Sequence, residues 1–143
     1  VRIGLASRLD TIQAAILIEK LNIFEDEIGK RNAVARRYNE AFAGSNRIKT
    51  PPVIAGATST WAQYTLQVGD RAKFQADLKA AGVPTAVYYP IPLSKQKAYA
   101  HYPSAPTPVS EALSATVVSL PLHPYMDAAT QDRVIAAVLQ SAG

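Results

Sequence analysis

The sequence predicts an α/β sandwich, a small sheet covered on one side by helices. Three observations carry that expectation. Apolar residues recur at helical spacing over more than thirty residues near the start, three short β-branched or aromatic runs follow, and helical patterns separate those runs.

The first element begins at Asp10, whose carboxylate suits a helix N-cap, with Gln13 three residues on as in a variant capping box. Ile12, Ile16, Leu17, Leu21, Phe24 and Ile28 then recur at spacings of three and four. Val34, Tyr38, Ala41 and Phe42 define a second stripe that ends before Gly44, so the region reads as one long helix or as two with a break near Gly29. Residues 45–59 hold Pro51, Pro52 and Gly56 without a sustained period and read as loop or short extended pieces.

The run TWAQYTLQV, with Trp61, Tyr64, Leu66 and Val68, predicts a strand. Asp70 caps a helix bearing Phe74, Leu78 and Ala81, and Gly82 closes it. PTAVYY predicts a second strand, ended by Pro90 and Pro92 because proline cannot donate to a ladder and restricts the residue before it. LSKQKAYA reads as a short helix, HYPSAPTP as a proline-rich loop and VSEALSAT as a helical turn or two. VVSLPL reads as a buried strand ended by Pro121, and a last helix capped by Asp127 runs through Val134, Ile135, Val138 and Leu139.

The 143 residues are 48% hydrophobic, enough for one domain's core. No apolar run of about 18 residues exists and no signal-peptide pattern precedes the first helix, so a membrane span is not expected. The absence of cysteine removes disulfides and thiolate chemistry and is compatible with a cytoplasmic location. His101 and His123 are far apart and outside metal-ligand spacings, so no metal site is expected. The net charge of +4 gathers at Lys30, Arg31, Arg36, Arg37, Arg47 and Lys49, interleaved with Glu25, Asp26, Glu27 and Glu40. That mixture reads as a solvated helix face rather than a nucleic-acid surface.

No nucleophile elbow or phosphate loop is present, and the consecutive carboxylates of Glu25, Asp26 and Glu27 point in different directions on a helix, as surface charges do. Two segments exceed what structure alone asks. Arg8 stands just before a helix start, a place suited to anions, although pairing with Asp10 would serve equally. In VYYPIPLSKQKAY a strand delivers Tyr88 and Tyr89 to its end, where ligand groups gather in α/β domains.

Four stretches in order, SRLDTIQAAILIEKL, R..VARRYNEAF, GVPTAVYYPIPLSKQKAY and SLPLHPYM, resemble the C-terminal part of nucleotide-sugar aminotransferases of the DegT/DnrJ/StrS type. The resemblance implies the small C-terminal domain of the aspartate-aminotransferase architecture, with a small, mostly antiparallel sheet. Residues 1–43 would be a helical link to an absent cofactor domain, and 44–143 the small domain. It further implies pyridoxal 5'-phosphate as cofactor, glutamate and a nucleotide-linked keto-sugar as substrates, a homodimer, no nucleic acid, and a cytoplasmic enzyme. The chain starts without methionine and reads as a fragment. Since the family's cofactor lysine belongs to the absent part, the chain alone is expected to be inactive.

The family's GxNxRLD segment matches Gly4, Ala6, Arg8, Leu9 and Asp10, with Ala6 where an asparagine reaches the cofactor phosphate and Arg8 on the substrate side. Its HYPxPLHxQ motif places Tyr88 at the first histidine position, Tyr89 and Pro90 as expected, and Ser94 at the second histidine position. Arg8, Tyr88, Tyr89 and Ser94 are thus the expected substrate contacts. Two alternatives remain open: a relative that binds the cofactor without transferring an amino group, and a stand-alone α/β interaction module.

Overall fold

The computed structural model describes residues 8–142. The Asp10 carboxylate caps α1 (Thr11–Asn22), accepting from the Gln13 N–H at 2.8 Å. The chain breaks at Ile23 and continues as α2 (Phe24–Phe42), so the two-helix alternative holds but its break lies six residues ahead of Gly29. At the joint, Ile23 donates back to α1 carbonyls while its own carbonyl accepts from the Glu27 N–H and starts α2. Gly29 stays helical. One glycine costs a helix about 1 kcal/mol, a cost that α2 packing outweighs.

The strands are β1 (Ile48–Lys49), within the segment read as loop or short extended pieces, β2 (Tyr64–Val68) and, after α3 (Arg71–Ala80) and α4 (Pro108–Thr116), β3 (Val117–Leu120). They form one antiparallel sheet in the order β1, β2, β3, with Tyr64 opposite Leu120 and Ile48 opposite Val68. Asp70 caps α3 through the Lys73 N–H, Gly82 ends it at φ 73°, and Asp127 accepts from the Thr130 N–H ahead of α5 (Ala128–Ala142). Period-two alternation sorts the strand residues. Tyr64, Leu66 and Val68 share the apolar face with Ile48, Val118 and Leu120, and all are buried. Thr65 and Ser119 meet on the opposite face, hydroxyl to hydroxyl at 2.9 Å.

Helices close the apolar face. Val34, Ala35, Tyr38 and Phe42 of α2, Phe74 and Leu78 of α3, and Val134, Ala137 and Val138 of α5 join the strand residues in one core. Tyr38 is central: fully buried, it stacks on Phe42, meets Tyr64 at 5.0 Å between ring centroids, and donates its hydroxyl to Pro121 O at 2.9 Å. Tyr64 donates to Asn39 Oδ1 at 2.6 Å. Burial pushes both phenol pKa values up, because the charged form would lose its water.

Three expectations are corrected. PTAVYY is not a strand; only Ala86 bridges, exchanging two backbone hydrogen bonds with Ser119, and Pro84 and Pro90 bound the stretch on either side so that no ladder extends past it. LSKQKAYA shrinks to one 3₁₀ turn, Leu93–Lys95. The third concerns Glu27, which is not a surface charge. It is 6% exposed and accepts from Lys20 Nζ at 2.5 Å and the Tyr125 hydroxyl at 2.7 Å. The basic face is likewise only partly solvated. Arg31 donates to Trp61 O, and Arg37 reaches Ala128 O, Gln131 and Asp132 at the start of α5.

Candidate functional site

The segment after the Ala86 bridge carries three of the expected contacts. Tyr88 and Tyr89 are exposed, with their rings edge to face at 6.0 Å. Tyr88 lines a groove of 340 Å³ together with Ala62, Gln63, Thr85, Ser119 and Leu120. Pro92 then starts the 3₁₀ turn, and Ser94 lies in a separate groove of 480 Å³ lined by Leu93, Tyr99, Tyr102, Thr107 and Ser110. The structure therefore divides Tyr88 and Ser94 between two grooves. Ser94 Oγ is 3.2 Å from Thr107 Oγ1, which reaches Glu111, and Glu111 pairs with Lys95 at 3.5 Å. A larger groove of 670 Å³, where β1 and α3 meet the end of α5, holds none of the expected residues.

Arg8 is exposed two residues before the α1 cap, and the Asp10 carboxylate is occupied by the Gln13 N–H. Gly4 and Ala6 lie outside the described residues. The helix that follows Arg8 has no buried residue; Ile12, Ile16, Ile18 and Leu21 are all more than half exposed. Its side-chain tie to the rest of the molecule is Lys20 on Glu27, which Tyr125 also holds from the loop ahead of α5. Lys30 completes the cluster, 5.4 Å over the Tyr125 ring. The Lys20 hydrogen bond, with that of Tyr125, holds the Glu27 carboxyl below the usual carboxylate range, and Glu27 in turn raises Lys20.

Every lysine of the chain is exposed. Lys20, Lys30, Lys73 and Lys95 stand in ion pairs, and hydrogen bonding to Asp26 raises Lys30 above the ordinary amine value. A lysine that forms a Schiff base needs the reverse, a desolvated amine lowered toward neutrality. Among the described residues no group of three or more histidine, aspartate or glutamate side chains is arranged to hold a metal ion, and no helix is long and apolar enough to cross a membrane.

A helix-backed antiparallel sheet thus carries, beside its open face, an exposed tyrosine pair and a groove that reaches Gln63 and Ser119. The same fold recurs in the crystal structure of a DegT DnrJ EryC1 StrS aminotransferase from Brucella abortus. That chain is 49% identical, superposes with a TM-score of 0.89, and is matched by 100% of this chain over 38% of its own length. The model of the DegT/DnrJ/EryC1/StrS aminotransferase family matches residues 1–139, and the chain belongs to that family. Among curated relatives, the UDP-2-acetamido-2-deoxy-3-oxo-D-glucuronate aminotransferase of Pseudomonas aeruginosa is 49% identical over 138 residues, 96% of this chain and 38% of that protein. The dTDP-3-amino-3,6-dideoxy-alpha-D-galactopyranose transaminase of Aneurinibacillus thermoaerophilus is 37% identical, over 94% of this chain and 37% of that protein. The chain thus spans somewhat more than a third of the relatives it matches.

Reading the sequence missed the Glu27 cluster and the placement of Gln63 beside Tyr88. Glu27 carried a usable signal: it lies one helical turn before Arg31 and two before Val34, at the margin of the stripe that continues through Tyr38. For Gln63, the alternation with buried Tyr64 puts it on the open face of the sheet.

Proposed function

We propose that this chain is the substrate-facing C-terminal part of a pyridoxal 5'-phosphate-dependent aminotransferase that moves an amino group from glutamate to a nucleotide-linked keto-sugar. The observation that carries the reading is the family match over residues 1–139 together with 49% identity to an enzyme named for a UDP-linked 3-oxo sugar. The cofactor's covalent anchor lies in this reading outside these 143 residues, which is supported by the exposure of every lysine present. The link of residues 1–43 would then join the cofactor domain to the small domain, with α2 also serving the small domain's core.

The residues of this chain supply recognition. Arg8 offers a fixed positive charge at the head of α1. A uronate carboxylate, present in the name of the 49% relative, would be matched by its planar guanidinium. Tyr88 and Tyr89 offer hydroxyls and ring faces to a sugar, and Ser94 a hydroxyl in the neighbouring groove. A homodimer, in which the Arg8 segment of one subunit serves its neighbour's site, belongs to the same proposal. So does the inactivity of the chain by itself, in the cytoplasm or in the test tube.

The test compares this chain with the protein that includes the remaining residues of a family member's length, both supplied with pyridoxal 5'-phosphate, glutamate and UDP- or dTDP-linked keto-sugars. Formation of 2-oxoglutarate and amino-sugar by the longer protein alone is the expected result. The non-catalytic reading is favoured by Ala6, Tyr88 and Ser94, which depart from the family pattern. Cofactor binding without any transfer would establish it instead.

A further inference from the structure

Trp61 sits at φ 48°, in the left-handed region that bulky residues rarely adopt. A residue stays there only when its surroundings over-determine it, and such positions gather at ligand sites. Its backbone N–H donates to Ser59 Oγ at 3.2 Å, its carbonyl accepts from the Arg31 guanidinium at 3.1 Å, and its indole donates to Asn32 Oδ1 at 3.0 Å. Asn32 also donates to Ser59 O at 3.0 Å, so one α2 side chain grips both ends of the kink. The indole is buried against Tyr64.

The kink sets where the next residues stand as they enter β2. Tyr64 turns into the core, and Gln63 is left on the open side of the sheet, exposed in the 340 Å³ groove that Tyr88 lines. Among the described residues the Gln63 amide has no hydrogen-bond partner. It brings two donors and one acceptor to the groove that holds an exposed tyrosine, a combination that suits the adjacent hydroxyl or acetamido groups of a hexose.

We propose that Gln63 contacts the sugar of the substrate and helps to determine which sugar is accepted, with Trp61 and Asn32 as positioning residues. The inference rests on the aminotransferase reading above, because that reading supplies the sugar.

The experiment uses the full-length, cofactor-loaded protein, with calorimetric binding of UDP- and dTDP-linked hexoses as a readout separate from turnover. Gln63→Ala is expected to raise KM for the keto-sugar and Kd for the nucleotide sugar about tenfold, the loss of one good hydrogen bond. The half-reaction with glutamate, which contains no sugar, is expected to stay at the wild-type rate. Asn32→Ala should move the sugar constants in the same direction with less effect on the glutamate step. Unchanged sugar constants in Gln63→Ala, or equal losses with sugar and glutamate, would overturn the proposal. A wild-type protein that binds nucleotide sugars without transfer removes the transferase reading alone, and Gln63 is then judged on Kd. A wild-type protein that binds none of them overturns both.

Discussion

Two helices that follow each other in the chain, α1 and α2, face opposite conditions. Both carry apolar residues at helical spacing, yet α2 buries Val34, Ala35, Tyr38 and Phe42 while α1 buries nothing. Periodicity tells which residues share a face; it does not tell what that face meets. The α2 stripe meets the sheet, whereas α1 leaves Ile16, Leu17 and Leu21 open and stays tied to the body by Lys20 on Glu27. Contacts that order α1 in a larger assembly would come from elsewhere.

The largest effects that sharpen this contrast come from truncation. Tyr38→Ala is expected to cost about 3–5 kcal/mol and Leu66→Ala about 2–5 kcal/mol, since both side chains are fully buried. Leu21→Ala should stay within about 0.5 kcal/mol in this chain, as exposed substitutions do. Urea unfolding of the three variants decides. A Leu21→Ala cost near that of Tyr38→Ala would mean that α1 is packed in solution.

Next in size is association. Ile12, Ile16, Leu17 and Leu21 on one helix form an open apolar surface of the kind that drives self-association. Sedimentation velocity should show mass rising with concentration for this chain, and Leu17→Glu with Leu21→Glu should return it to a monomer. A concentration-independent monomer for the unaltered chain would contradict the expectation.

A smaller effect probes the polar part of the core. Tyr38→Phe removes the hydroxyl that Pro121 O accepts, for a loss of about 0.5–1.5 kcal/mol. The neutral phenols also set an alkaline limit. The folded values of Tyr38 and Tyr64 lie above the ordinary 10.0, so their contribution is complete below pH 10 and is lost as pH rises beyond it toward the raised folded values. Far-ultraviolet circular dichroism across that range should record the loss, and its onset well below pH 10 would argue against these tyrosines as the cause.

Most of the fold was legible where local chemistry and tertiary need agree. The caps Asp10, Asp70 and Asp127, the Gly82 terminator and the core stripe from Val34 to Phe42 all stand where the pattern puts them. The misreadings share one cause. Whether Tyr88 continues a strand depends on a neighbour with free donors and acceptors, and Ser119 gives only Ala86 that pairing. Whether Glu27 is a surface charge depends on Tyr125, 98 residues away. The candidate site was legible as a segment, Tyr88 to Ser94, but its partition into two grooves depends on Thr107 and Tyr102, which no local pattern links to Ser94.

The finest break in the contrast is at Glu27 itself. Glu27→Gln keeps shape and removes the charge that Lys20 meets, so it should loosen α1 while the sheet and α5 stay closed. Amide hydrogen exchange is expected to quicken across residues 11–22 and to change little in Tyr64–Val68 or Ala128–Ala142. Acid offers the same test without mutation. The folded Glu27 value is depressed below the ordinary 4.5, so the tie is present above that pH and is lost as pH falls through the depressed value. Exchange in α1 should therefore rise below pH 4.5 in the wild type relative to Glu27→Gln, in which that titration is gone. Equal acid sensitivity in the two proteins would assign the orientation of α1 to something other than this carboxylate.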